Sequence, residues 1–93
     1  MSHADLFTCP CCGYRTISGE YEICEICGWE YDVTQHQNPN STGANRVSLR
    51  EAQQNYQQFG AAKKEIVGSM LVRAPTSDDV RDQHWRALDA TKG

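Results

Sequence analysis

Nowhere does the chain carry an apolar run of the ~18 residues that a membrane-crossing helix requires. Its opening, MSHADLFT, has neither the basic start nor the apolar stretch of a secretory signal, so the chain reads as cytoplasmic and unattached to membranes. Basic charge is scarce and scattered: nine Lys and Arg face twelve Asp and Glu, for a formal charge of -3. Arg46, Arg50, Lys63, Lys64, Arg73, Arg81 and Arg86 are spread through the second half rather than gathered in a block. Such a chain has no long-range attraction for phosphate backbones, which disfavours nucleic acid and leaves a basic protein as the partner an acidic surface suits. Also missing are an H-E-x-x-H pair, a phosphate-cradling glycine loop and any Ser-His-Asp context, which points away from an enzyme.

Apolar residues are in short supply too. They make up 39% of the 93 residues, and the mean hydropathy is -0.67. A chain of this length forms a single domain, 1–93, and buries a smaller share of its surface than a larger one. It needs a supplement to its core, whether disulfides, a metal or a partner.

Cysteine is what the chain does have. All five lie in CPCCGYRTISGEYEICEICGWE, between Cys9 and Cys27. In a reducing compartment clustered cysteines are metal ligands rather than disulfide partners, and an odd count fits poorly with complete pairing. Cys9 and Cys12 form one C-x-x-C, Cys24 and Cys27 a second, and a glycine follows each: Gly13 and Gly28. Such a knuckle turns its amides toward the sulfurs and needs positive φ after the second cysteine, which glycine adopts without steric cost. Two knuckles brought together by a hairpin make a tetrahedral four-sulfur site, the closed geometry of one structural Zn2+. Cys11 is left over, as a bystander or an accessory thiol. Paired knuckles opening on CP also resemble those of rubredoxin, where the ion is iron, so iron is the less favoured alternative to zinc. None of His3, His36 and His84 has ligand spacing to a knuckle. With four thiolates no position is left for a catalytic water.

The pattern along the chain places the rest. YRTIS and EYEI around Gly19 predict a hairpin between the knuckles, within a zinc ribbon over 7–31. WEYD ends that ribbon, with Glu30 and Asp32 facing water as a candidate partner surface, while Trp29 or Tyr31 covers the metal site. Residues 32–46, rich in Asn, Ser, Thr, Gly and Pro, read as a polar loop. A helical part, 47–90, follows. Ser48 and Glu51 make a capping box for a helix whose inward face is Leu49, Ala52, Tyr56 and Phe59, and Gly60 stops it. Ala62, Ile66, Val67, Met70 and Leu71 fall at helical spacing up to Pro75. A third helix is expected in VRDQHWRALDA, capped from Thr76 and Asp79, stitched by Asp82 and Arg86, and anchored to the ribbon by Trp85.

CPCCGY, YEIC-x-x-CGWE, GAN-x-x-SL-x-EAQ-x-N, FGA, VR-x-P and RD-x-x-W, in that order from Cys9 to Trp85, resemble the cysteine-rich CPCC family of small, mainly bacterial proteins. The resemblance implies that loop and helices form one unit with the ribbon, and that Asn45, Ser48, Glu51 and Asn55 are a hydrogen-bonded scaffold. It also places Cys11 inside the shared motif, and it implies no particular activity.

The fold expected is therefore a small metal-stabilised α+β domain, a rubredoxin-like zinc ribbon followed by two or three short α-helices. The function expected is a non-enzymatic protein-interaction module, for example an inhibitor or immunity-type partner of a basic bacterial toxin. An iron electron carrier and a nucleic-acid-associated zinc ribbon are its rivals.

Overall fold

The computed structural model describes residues 6–88. Two short strands, β1 (Phe7–Thr8) and β2 (Arg15–Ile17), pair antiparallel around the first knuckle, with Phe7 opposite Ile17 and Thr8 opposite Arg15 and a bulge between the two pairs. Inside that ribbon the knuckle closes itself. Cys9 N–H donates to the Tyr14 carbonyl at 2.8 Å, and Gly13 N–H to the Cys9 carbonyl at 2.9 Å. The second knuckle repeats the construction: Cys24 N–H to Trp29 O and Gly28 N–H to Cys24 O, both at 2.8 Å, with a bridge between Ile23 and Glu30 beyond them. Gly13 and Gly28 have φ of 85° and 82°, as the knuckle chemistry demands.

The hairpin is therefore displaced from where the alternation suggests. Each knuckle pairs the chain entering it with the chain leaving it, and YRTIS does not pair with EYEI. Tyr21, at φ 61°, departs from strand conformation in the intervening turn. The EYEI segment instead exchanges Tyr21 N–H to Tyr31 O and Tyr31 N–H to Glu22 O, at 2.7 and 2.9 Å.

Helix α1 (Val33–Gln37) occupies the start of what the composition marks as a loop. Asp32 caps it, its Oδ1 accepting from Thr34 N and Gln35 N, while its Oδ2 takes the Ala44 amide at 3.1 Å. Helix α2 (Leu49–Phe59) starts and stops where its punctuation places it: Ser48 Oγ accepts from Glu51 N at 3.0 Å, the serine half of the expected capping box, and Gly60 closes it at φ 77°. Leu49, Ala52 and Gln53 are the residues it buries, whereas Phe59 faces outward.

Neither of the two further helices forms. Residues 62–75 contribute one 3-10 turn, Lys64–Ile66, then further turns through residue 71, with Ser69 N–H donating to Ile66 O, before the chain passes the second knuckle. Ala62 N–H donates to Cys27 O and Arg73 N–H to Ile26 O, so the knuckle's own carbonyls claim this chain, and Gly68 at φ 77° interrupts any helix between them. Residues 80–88 cover the first knuckle in the same manner. Arg15 N–H donates to Val80 O at 2.9 Å and Asp82 N–H to Gly13 O at 2.8 Å. Asp82 does not reach Arg86; it accepts from Thr8 Oγ1 at 2.6 Å and from His84 N at 2.9 Å, so its side chain caps a turn. The end of the expected third helix, residues 89–90, lies outside the described residues.

Among the described residues no helix is long and apolar enough to cross a membrane. The core is built from Cys9, Cys11, Cys12, Cys24 and Cys27 with Ile17, Ile26, Trp29, Leu49, Ala52 and Ala62. With so much of the interior made of sulfur and alanine, little aliphatic surface remains to drive folding.

Candidate metal centre

Two identical turns, facing each other, bring four sulfurs together. Cys9 Sγ lies 3.6 Å from Cys27 Sγ and Cys12 Sγ 3.7 Å from Cys24 Sγ, and all four sulfurs fall within 4.8 Å of one another. A tetrahedron with metal–sulfur bonds of about 2.3 Å has edges of about 3.8 Å. Disulfides need sulfurs at about 2.05 Å. The spacing fits an ion and not a bridge, and all five cysteines are free thiols.

The surroundings fit one as well. Cys9, Cys24 and Cys27 are wholly buried and Cys12 nearly so. Burial pushes the Cys9 and Cys27 thiols well above their ordinary range, while hydrogen bonds to neighbouring thiols, Cys12 foremost, and to Thr16 pull Cys24 down. Thiolates packed this closely repel one another, and a bound cation relieves the repulsion. Cys24 Sγ also accepts from Thr16 Oγ1 at 3.0 Å and from the Ile26 amide at 3.4 Å, the outer hydrogen bonds that fix a ligating sulfur.

Cys11 is buried at 1% exposure but stands outside the group of four. It belongs to the core, where it adds to the upward push on Cys27. Trp29 is buried in the same cluster and Tyr31 packs against it half-buried. His36 and His84 are exposed and away from the sulfurs, and His3 lies outside the described residues.

The two acids of WEYD do not form an outward-facing pair. Asp32 is buried and spends both oxygens on internal amides, which hold its carboxyl below the usual range, Ala44 first. Glu30 is half-buried, and its backbone is gripped on both sides by Asn45, Oδ1 accepting from Glu30 N and Nδ2 donating to Glu30 O, each at 2.7 Å. Asn45 Nδ2 also donates to Gln35 Oε1 at 2.8 Å, and Gln35 Nε2 donates to the carbonyls of Ser41 and Val47. Asn45 thus pins the polar loop to the ribbon exit, and Gln35 is its unforeseen counterpart. Asn55 ties α2 to the next segment through Ala62 O.

Pro10, inside the first knuckle, collects two more anchors. Its carbonyl accepts from Gln53 Nε2 at 2.8 Å and from Trp85 Nε1 at 3.0 Å. Trp85 therefore anchors the chain's end to the ribbon without a helix to carry it. Gln53 lies four residues after Leu49, on the buried side of α2, and its polar type is what hides it; Gln35 falls in the stretch that reads as a polar loop.

Fold and site together define a small protein built on paired cysteine knuckles with a four-cysteine cluster able to hold a metal ion. The chain belongs to the Cysteine-rich CPCC family, whose model matches residues 7–79. The matched range takes in both knuckles, the polar loop and α2, and RD-x-x-W lies beyond it. Among curated proteins no match was found.

Proposed function

We propose that this is a small non-catalytic zinc protein in which Zn2+, held by Cys9, Cys12, Cys24 and Cys27, nucleates the fold and an acidic turn docks on a basic protein partner. The closed, buried four-sulfur arrangement supports a structural ion, since every tetrahedral position has a protein ligand. Short zinc ribbons are the commoner use of this spacing, which favours zinc over iron.

The observation that carries the docking face is the turn between the knuckles. Glu20, Tyr21, Glu22, Ile23 and Glu25 are all exposed, Tyr21 at 59% and Ile23 at 49%. Apolar side chains presented among carboxylates suit a partner with a basic rim and apolar pockets. Such a face would serve an inhibitor or an immunity-type partner of a basic protein such as a toxin. It replaces the pair Glu30 and Asp32 as the acidic surface on offer.

Native mass spectrometry with metal analysis tests the first half: one zinc per colourless chain is expected, and a red, redox-active iron form overturns it in favour of an electron carrier. For the second half, native affinity capture is run with the parent chain beside the double variant Glu20→Lys, Glu22→Lys. A stoichiometric basic partner retained by the parent and lost by the variant is expected. Equal retention by both removes this face from the reading.

A further inference from the structure

The closing segment of the chain builds a cleft that the sequence does not announce. Residues 81–87 fold back beside α2 and leave an opening of about 550 Å3 lined by Tyr56 and Gln57 on one side, Arg81, Trp85 and Arg86 on the other, and Cys12. That size lies within the range of small-molecule sites, about 300–1,000 Å3.

Its charge is the reverse of the molecule's. The chain as a whole is acidic, yet among the described residues two guanidiniums line this cleft and a single carboxylate, Asp82. Asp82 is already committed to Thr8 Oγ1 and to the His84 amide. Arg81 has no carboxylate partner among the described residues; its guanidinium is held over the Trp85 ring at 5.6 Å from the centroid. Arg86 is oriented rather than neutralised, its Nη1 donating to the carbonyls of Gln83 and Trp85. Trp85 is fixed in turn by its bond to Pro10. On the far side of Arg81, Arg15 and His84 line the neighbouring surface, where Asp82 is the one acid among the described residues.

Unpaired arginines held by an aromatic ring and by backbone carbonyls are preorganised for an oxyanion, because the planar fork matches phosphate and carboxylate alike. We propose that this cleft binds a small organic anion, with Arg81 and Arg86 taking its phosphate or carboxylate group and Tyr56, Gln57 and Trp85 flanking its body. The site is independent of the acidic turn and lies on other elements.

Isothermal titration calorimetry of the zinc-loaded chain with pyrophosphate, adenosine monophosphate and benzoate tests this, with the Trp85 indole N–H resonance followed in parallel. Saturable binding of at least one probe is expected, accompanied by a shift of that resonance and weakened at least fivefold by Arg81→Gln or Arg86→Gln. Arg46→Gln, an exposed charge on the polar loop, should leave it unchanged. A preference for the phosphates or for benzoate identifies which oxyanion the site takes. The proposal is overturned if no probe saturates by 10 mM, if neither cleft variant weakens binding, or if Arg46→Gln weakens it as much. Retention of one zinc per chain confirms that the variants fold.

Discussion

Gly13 and Gly28 occupy equivalent places in the two knuckles, yet their surroundings predict unequal costs for the same substitution. Both sit at positive φ, where a Cβ costs roughly 1–2 kcal/mol. A Cβ on Gly28 meets the Ile66 Cδ1 methyl, the far end of a side chain that can turn aside. On Gly13 it meets Trp85 Cε3 at 2.6 Å, in a ring held by its bond to Pro10. Gly28→Ala should therefore cost about 1–2 kcal/mol and Gly13→Ala about 3 kcal/mol or more, adding overpacking to backbone strain. Denaturant unfolding of the metal-loaded variants checks the order, and equal losses would show that Trp85 is not fixed. Asn45 offers a second test at this scale. Asn45→Asp turns the donor facing Glu30 O and Gln35 Oε1 into a buried acceptor, at about 2–4 kcal/mol. A change within about 0.5 kcal/mol, the range of ordinary surface substitutions, would contradict the role given to that network.

At the level of elements, α2 is the one whose ends are written locally. Its cap rests on Ser48 Oγ to Glu51 N, so Ser48→Ala should lower stability by about 1 kcal/mol, and Ser48→Asp should restore most of it. Thermal melts of the three proteins side by side are sufficient. The segments after α2 are different in kind. The helical spacing of Ala62, Ile66, Val67, Met70 and Leu71 yields an irregular cover of successive turns in which Val67, Met70 and Leu71 remain exposed. Local propensity loses here to the carbonyls of Ile26, Cys27 and Gly13, which take the amides of Arg73, Ala62 and Asp82, since a buried backbone acceptor left without a donor costs more than a short helix gains.

For the molecule as a whole, the structural role proposed for the metal rests on how little else there is to hold the fold. A two-stranded sheet, an eleven-residue helix and a core composed largely of sulfur cannot supply an ordinary stability margin. Chelation should therefore abolish the cooperative melting transition and the helical circular dichroism together, and re-addition of zinc should restore both. Survival of the transition in chelator would overturn the structural role. Cys11→Ala separates the fifth cysteine from the other four: it should keep one metal per chain and lose only the packing of a small buried side chain. Cys24→Ser should lose metal affinity and the transition with it.

The four clustered cysteines, the two knuckle glycines and the start and stop of α2 could be read from the sequence, because each is set by spacing within a few residues. A C-x-x-C-G turn and a capped helix carry their own geometry, and the odd cysteine identifies itself by falling outside the spacing. Tertiary structure decided the remainder. It paired each knuckle with its own flanks, buried Asp32, Gln35, Asn45 and Gln53, and turned two expected helices into covers for the ribbon. It also set Arg81 and Arg86 around one cleft beside Cys12. These outcomes depend on which distant backbone groups found partners in the small core, a competition that no local stretch of the chain records.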